Sequence, residues 1–225
     1  MKRILIITAH LDDFEFGMGG TVAKLAAESD NEIGLVVMCN GERPGNEHVA
    51  DPRNEACIYN CKQLGIKYVT IKHYPDTRLD KVSQTTVCSD ITAIVNEFKP
   101  TIVYTHFRDD VHSDHRIVSN ATRVACRMRC NSTVEQLFEF SIPGSTEWGF
   151  RPFEGNSYVN ITDLQERKIS LIERYTTELR QAPDPISLES ICSRDRYTGS
   201  LCGYEFAESF KLIFHRDEKT CVDDS

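Results

Sequence analysis

Short apolar runs recur along this chain, separated by segments with helical spacing, and that alternation limits the fold more than any other feature. The runs are Ile4–Ile7, the stretch Ile33–Met38 within Glu32–Asn40, Lys67–Lys72, Thr101–Thr105 and Val134–Phe140. They have the length of strands, and continuous apolar runs of that length suit a parallel sheet covered on both faces. Between them, Thr21–Glu28 sets Val22, Leu25 and Ala26 on one face. A second helix opens with Asp51 as N-cap and Pro52 as its first residue, and closes at Leu64-Gly65. Thr85–Phe98 repeats Val87, Ile91, Ile94, Val95 and Phe98, and a helix is expected over Ser113–Arg129. Strand–helix alternation implies parallel strands joined by crossover helices. The expected fold is therefore α/β, a Rossmann-like three-layer sandwich with a mostly parallel central sheet. The last third is less regular. Pro143–Gly155 reads as a loop, Ser157–Ile161 as a short strand, and Asp163–Arg180 as one long helix behind an N-cap at Thr162. Ser187–Arg196 reads as a further helix and Glu208–His215 closes the fold. The 225 residues show no repeat and no linker, and read as a single domain spanning 1–225.

Bulk properties exclude some functions. The net charge is −8 with no basic block, which leaves no phosphate footprint for a nucleic acid and argues against an anionic membrane. Lys2 and Arg3 precede an apolar run as in a signal peptide, but the run is short and meets His10 and Asp12 at once. No stretch approaches the ~20 apolar residues of a spanning helix. The expectation is a cytoplasmic protein with no membrane partner. Nine cysteines include no C-x-x-C pair. Cys57/Cys61 and Cys126/Cys130 are spaced four apart on helices, and read as reduced thiols rather than zinc knuckles.

The chemistry gathers just past two of the runs. The first meets Thr8-Ala9-His10-Leu11-Asp12-Asp13 and a Gly-rich turn, Gly17–Gly20, that leads into a helix. The fourth meets the stretch from His106 to Arg116, H-F-R-D-D-V-H-S-D-H-R. Carboxyl ends of strands are where open α/β sheets bind ligands, and strands one and four can be neighbours where the strand order reverses. Burying carboxylates with imidazoles is costly unless a cation compensates them. His10 and Asp13 could then meet His115 as metal ligands, leaving open positions for water and substrate, as catalytic sites do. These donors suit zinc, and also iron, cobalt or manganese. Asp12 is placed to take a proton from metal-activated water. His112 can donate to an oxyanion or a leaving amine, and Asp114 can fix an imidazole tautomer. His106 and Asp110 fit either a structural role or the pocket lining.

The first stretch, A-H-L-D-D-F-E-F-G-M-G-G-T, resembles the A-H-P-D-D-x-E-x-G-x-G-G-T signature of the PIG-L / LmbE-like deacetylases, and H-S-D-H-R resembles their H-P-D-H motif. Arg53, Glu55, Ala56 with Leu64-Gly65, the loop Tyr74-Pro75-Asp76, Lys168 with Tyr175–Glu178, and the tail with Gly199, Gly203 and Y-E-F-A-E-S-F continue the likeness. The resemblance implies a zinc-dependent hydrolase, with Fe2+ or Co2+ as other metals, that removes the N-acetyl group from an N-acetylglucosamine-type small molecule. It implies His10, Asp13 and His115 as ligands, Asp12 as general base, His112 as oxyanion or amine partner supported by Asp114, and Arg53 and Asp76 as sugar-holding residues. Relatives are often oligomeric, which points to a homo-oligomer. Leu11 and Ser113 replace the usual prolines, and Thr177-Glu178 replaces Ser-Gln. The loops Asn40–His48 and Pro143–Gly155 are the segments expected to choose the substrate.

Other readings share parts of this pattern. A non-heme iron oxygenase uses the same two-His-one-Asp triad but needs a redox co-substrate. A non-catalytic sugar-binding protein would need neither Asp12 nor His112. A dinucleotide-binding protein would carry G-x-G-x-x-G after strand one, which this chain lacks.

Overall fold

The computed structural model describes residues 1–42, 52–127 and 132–216. In chain order the elements are β1 (Arg3–Thr8), α1 (Asp13–Ala27), β2 (Glu32–Cys39), α2 (Pro52–Gln63), β3 (Tyr68–Tyr74), α3 (Gln84–Phe98), β4 (Ile102–His106), α4 (Ser113–Ala125), β5 (Gln136–Phe140), β6 (Ser157–Asn160), α5 (Gln165–Ile172), α6 (Leu188–Cys202) and β7 (Ala207–His215). The expected N-cap Asp51, most of the loop Asn40–His48, and Cys130 lie outside the described residues. Among the described residues no helix is long and apolar enough to cross a membrane.

The strands form one sheet in the order β3-β2-β1-β4-β5-β7-β6. The first five are parallel, and β7 runs antiparallel between β5 and β6. This is the Rossmann-like, mostly parallel α/β sheet expected from the alternation. Period-two side-chain alternation divides the core between its faces. Ile4 and Ile6 face the layer that holds Phe14, Val22, Cys57 and Leu171. Leu5 and Ile7 face the layer of Ile91, Val95, Val118 and Ala121. Cys39, Cys57, Cys61 and Cys126 are buried free thiols, as the composition suggested.

Two expectations need correction. Gly17–Gly20 is not a turn ahead of a helix, because α1 already begins at Asp13 and runs through it, bent at Met18 where φ is −152°. The glycines answer to packing: a Cβ on Gly17 would stand 2.6 Å from Phe140 Cδ2, and one on Gly20 2.9 Å from Ile161. Nor is Asp163–Arg180 one helix. Thr162–Leu164 is a single 3-10 turn rather than a cap, and α5 stops at Ile172. Beyond it the chain turns so that Tyr175, buried, can place its hydroxyl 2.9 Å from Leu11 O and 2.6 Å from Glu15 Oε1. A smaller difference is α6, which runs on past Arg196 to Cys202 and ends on Gly203 at φ 81°.

The bend in α1 leaves a second set of helical N–H groups to satisfy. Glu208 of β7 accepts from Gly20 N and Thr21 N at 3.0 and 2.6 Å. Lys168 Nζ sits 2.9 Å from Glu208 Oε1 and donates to both Asp195 oxygens. This buried ion cluster fastens α5, α6 and β7 to the helix that begins at Asp13. The sheet brings the two chemistry-bearing ends together. β1 pairs with β4 in the register Ile4↔Ile102 and Ile6↔Tyr104, at the point where the strand order reverses.

Candidate active site

Both loops are built so that polar side chains turn inward. Past β1, Asp13 is the first residue of α1, and its Oδ2 accepts from the backbone N–H of His10 at 2.6 Å. The carboxylate is thus held at a helix N-terminus and inside its own loop. Past β4, His112 occupies the N-cap of α4, and its Nδ1 accepts from Asp114 N at 3.2 Å. That bond leaves Nε2 as the protonated nitrogen of a neutral His112.

His10 and Asp13 of the first loop meet His115, about a hundred residues farther along the chain. His10 Nδ1 is 3.5 Å from Asp13 Oδ2 and 3.2 Å from His115 Nε2, and His115 Nε2 is 3.4 Å from Asp13 Oδ1. A tetrahedral ion with bonds of about 2.0–2.1 Å separates its ligand atoms by about 3.3–3.4 Å. The two imidazole nitrogens, and a carboxylate that turns Oδ2 toward His10 and Oδ1 toward His115, are close to that spacing and could hold an ion. His10–His112–His115 and Asp13–His106–His115 form overlapping trios that could also hold a metal.

The surrounding groups orient this cluster. His10 Nε2, the nitrogen turned away from Asp13, faces Asp76 Oδ1 at 3.2 Å and Asp114 Oδ2 at 3.4 Å. His115 Nδ1 faces Asp110 Oδ1 at 3.4 Å. Asp110 is itself pinned by Ser145, Thr146 and the His112 N–H. A carboxylate behind each imidazole fixes which nitrogen is turned toward an ion. Arg53 donates to Asp76 Oδ2 at 2.5 Å and lies 3.8 Å from Asp12 Oδ2, so both residues expected to hold a sugar are also tied into this network. The Asp114 carboxylate reaches His10, while His112 receives only the Asp114 backbone N–H. His106 Nε2 accepts from Ala9 N at 2.8 Å and lies 3.1 Å from Asp13 Oδ2, and its ring stacks on His115 at 4.1 Å, so it both braces the first loop and borders the donor cluster.

Electrostatics differ sharply within the cluster. Burial by itself would raise Asp13, but His106, His115 and His10 hold it well below the usual carboxylate range. Burial disfavours charge on His10, yet Asp13, Asp114 and Asp76 raise it well above an ordinary imidazole, and His115 is raised against burial by Asp13 and Asp110. The protons on these rings supply positive charge that the carboxylates demand, which a divalent cation would supply instead. Asp12 is pushed up to about 6, by burial and then by Asp13, with Arg53 opposing. His112 is pushed down to about 4, by burial and then by His115 and His10.

Sequence reasoning missed Cys39, whose buried thiol donates to Asp114 Oδ2 at 3.8 Å and forms a further trio with His10 and Asp114. Its position at the carboxyl end of β2, beside β1, was the available signal. It also missed that Glu15 closes a network with Asn60 and Tyr175 beneath the first loop.

The family model described as PIG-L, GlcNAc-PI de-N-acetylase, matches residues 5–126, which contain both loops. The uncharacterized deacetylase YaiS of Escherichia coli (strain K12) is 33% identical over 155 residues, covering 67% of this chain and 79% of that protein. Diacetylchitobiose deacetylase of Thermococcus kodakarensis is 24% identical over 226 residues, covering 95% and 84%. The crystal structure of a conserved protein from Thermus thermophilus shares the fold, with a TM-score of 0.77 at 22% identity over 98% of this chain and 99% of that one. With the matched segment taking in more than half of the chain and both clusters, this protein belongs to the PIG-L family of de-N-acetylases.

Proposed function

We propose that this chain is a metal-dependent N-deacetylase that hydrolyses the acetamide of an N-acetylglucosamine-type substrate to acetate and a free amino sugar. The observation that carries the reading is the convergence of His10, Asp13 and His115, whose imidazole nitrogens lie 3.2 Å apart and each 3.4–3.5 Å from one oxygen of the Asp13 carboxylate, next in sequence to Asp12. Those three residues would hold the ion; zinc fits two nitrogens and one oxygen, as Fe2+ or Co2+ would. When bound, such an ion supplies Lewis acidity toward the acetyl carbonyl and acidifies water.

The chain's own residues do the rest. Asp12, with a pKa near 6, accepts the proton of the attacking water and returns it to the departing amine. His112, neutral with its proton on Nε2, donates a hydrogen bond to the developing oxyanion. A group with a pKa of about 4 is a poor proton store at neutral pH, which favours Asp12 as the acid in the second half of the reaction. Asp76 and Asp114 hold His10, Asp110 holds His115, and Arg53 spans Asp12 and Asp76, where it can also meet a sugar hydroxyl. The diacetylchitobiose deacetylase relative supports an amino-sugar substrate. The test is acetate release from a panel of N-acetylated sugars, with and without chelator. We expect release that chelation abolishes and zinc restores. No acetate from any sugar with metal-loaded protein, or release indifferent to chelator, would remove the proposal.

A further inference from the structure

Beside the donor cluster stands a loop that is fastened more firmly than a connection requires. It leaves β5 and carries a 3-10 turn at Thr146–Trp148. Thr146 Oγ1 and Ser145 Oγ donate to Asp110 Oδ2 at 2.6 and 3.0 Å, the carboxylate whose other oxygen faces His115. Farther on, Phe150 N donates to Asp109 O at 2.7 Å. Gly149 permits that approach, since a Cβ there would stand 2.4 Å from Asp109 O. The loop is therefore stitched to the second ligand loop on both sides of Gly149.

The residues flanking this glycine are large rings turned to solvent. Trp148 is 76% exposed and Phe150 71%, and Val111 of the ligand loop is exposed as well. Their neighbours are charged. The Arg116 guanidinium covers one face of Phe150 at 4.9 Å, and Glu147 pairs with Arg194 at 2.9 Å. Flat rings on a backbone tied to the loop that holds Asp110 suit a ligand that extends out of the neighbouring polar site. The charged surround selects its chemistry. A pyranose presents an apolar C–H face to a ring and hydroxyls to the charges at its edge, whereas an acyl chain needs a continuous apolar groove, which these charges interrupt.

We infer that Trp148, with Phe150 beside it, is a stacking platform for a second sugar ring, so that the substrate is an amino-sugar oligosaccharide rather than a single acetylated sugar. This rests on the deacetylase reading for what occupies the adjacent cluster.

Trp148 is the only tryptophan among the 225 residues, so emission excited at the red edge, where the eight tyrosines do not absorb, reports this ring alone. The full chain is titrated with N-acetylglucosamine and with its β-1,4-linked di- and trisaccharide, and deacetylation kinetics are measured with all three. We expect a saturable emission change with the oligosaccharides. We also expect Trp148→Ala to raise KM for them roughly fivefold more than for the monosaccharide, the scale of one aromatic contact, and Trp148→Phe to recover most of it. Because the ring is exposed, folding of Trp148→Ala can be checked by circular dichroism. An emission spectrum that ignores the oligosaccharides overturns the platform whether or not the chain is active. An equal rise in KM for all three sugars overturns it too. Emission that responds to a long-chain alkyl glucoside but not to free oligosaccharide assigns the rings to an acyl chain instead. Emission that shifts with protein concentration alone, in step with a dimer by light scattering, assigns them to a second copy. Oligosaccharide-dependent emission without any deacetylation keeps the platform and removes the deacetylase reading.

Discussion

Asp12 and Asp13 are adjacent in sequence and opposite in electrostatics. Three imidazoles hold Asp13 ionised, while burial and the Asp13 charge push Asp12 up to about 6. A base must be ionised to accept a proton, so with Asp12 as the proposed base, activity should lie above its pKa and be lost as pH falls through it. A bound cation would move that limb below 6. Asp12→Asn should keep its metal by elemental analysis, lose at least ~100-fold in kcat, and lose the acid limb of kcat/KM. A variant that retains the limb would place the titrating group elsewhere. Beneath the loop, Glu15 is buried and its pKa is raised well above the ordinary value by burial, with Tyr175 and Asn60 opposing. The folded chain then keeps a proton that the unfolded chain releases above about 4.3. This group's stabilisation is full below that pH and declines as pH rises toward the folded value. Glu15→Gln keeps an acceptor for Asn60 and Tyr175 and cannot titrate. Urea midpoints at pH 5 and pH 8 should therefore differ less in the variant than in the parent chain, and an undiminished difference would show Glu15 ionised in the fold. His10, Asp13 and His115 were legible from their places at strand ends. That Asp114 serves His10, and that Arg53 grips Asp76, was not, because those partners are distant along the chain.

Among the elements, α1 does most to position the site, since it starts on Asp13 and is bent at Met18. Its glycines looked like turn residues because Gly clusters usually are. In the fold they clear Phe140 and Ile161, side chains from segments more than a hundred residues away. Gly20→Ala puts a methyl 2.9 Å from buried Ile161, and overpacking of this kind costs about 1–3 kcal/mol. The urea midpoint should fall, and Ile161→Val in the same chain should restore part of it. Strict additivity of the two substitutions would mean that the contact carries no strain. The shortened α5 teaches the same lesson. Helical spacing registered Tyr175 as one more position on a helix, but its hydroxyl is drawn under the first loop to Leu11 and Glu15. That contact supports Leu11 where the family usually has proline.

For the molecule as a whole, ion binding at the proposed ligands would be linked to folding, because the unfolded chain does not hold His10, Asp13 and His115 together. Zinc at a hundredfold excess over its dissociation constant should stabilise the fold by about 2.7 kcal/mol, which for a chain of this size raises Tm by roughly 5–11 °C. His115→Ala should lose most of that shift in a thermal scan, and an equal shift would place the ion elsewhere. Sequence alone determined the layered α/β architecture, since short apolar runs alternating with amphipathic segments can be buried in few other ways. It also determined which two loops carry donor groups. Tertiary structure decided the rest. Only the β1–β4 pairing sets two loops a hundred residues apart within one ion's reach, and only the packed neighbours decide that Asp13 stays charged while Asp12 titrates near 6. Periodicity reports the face a residue turns inward, whereas distance and desolvation depend on what the remainder of the chain brings to that face.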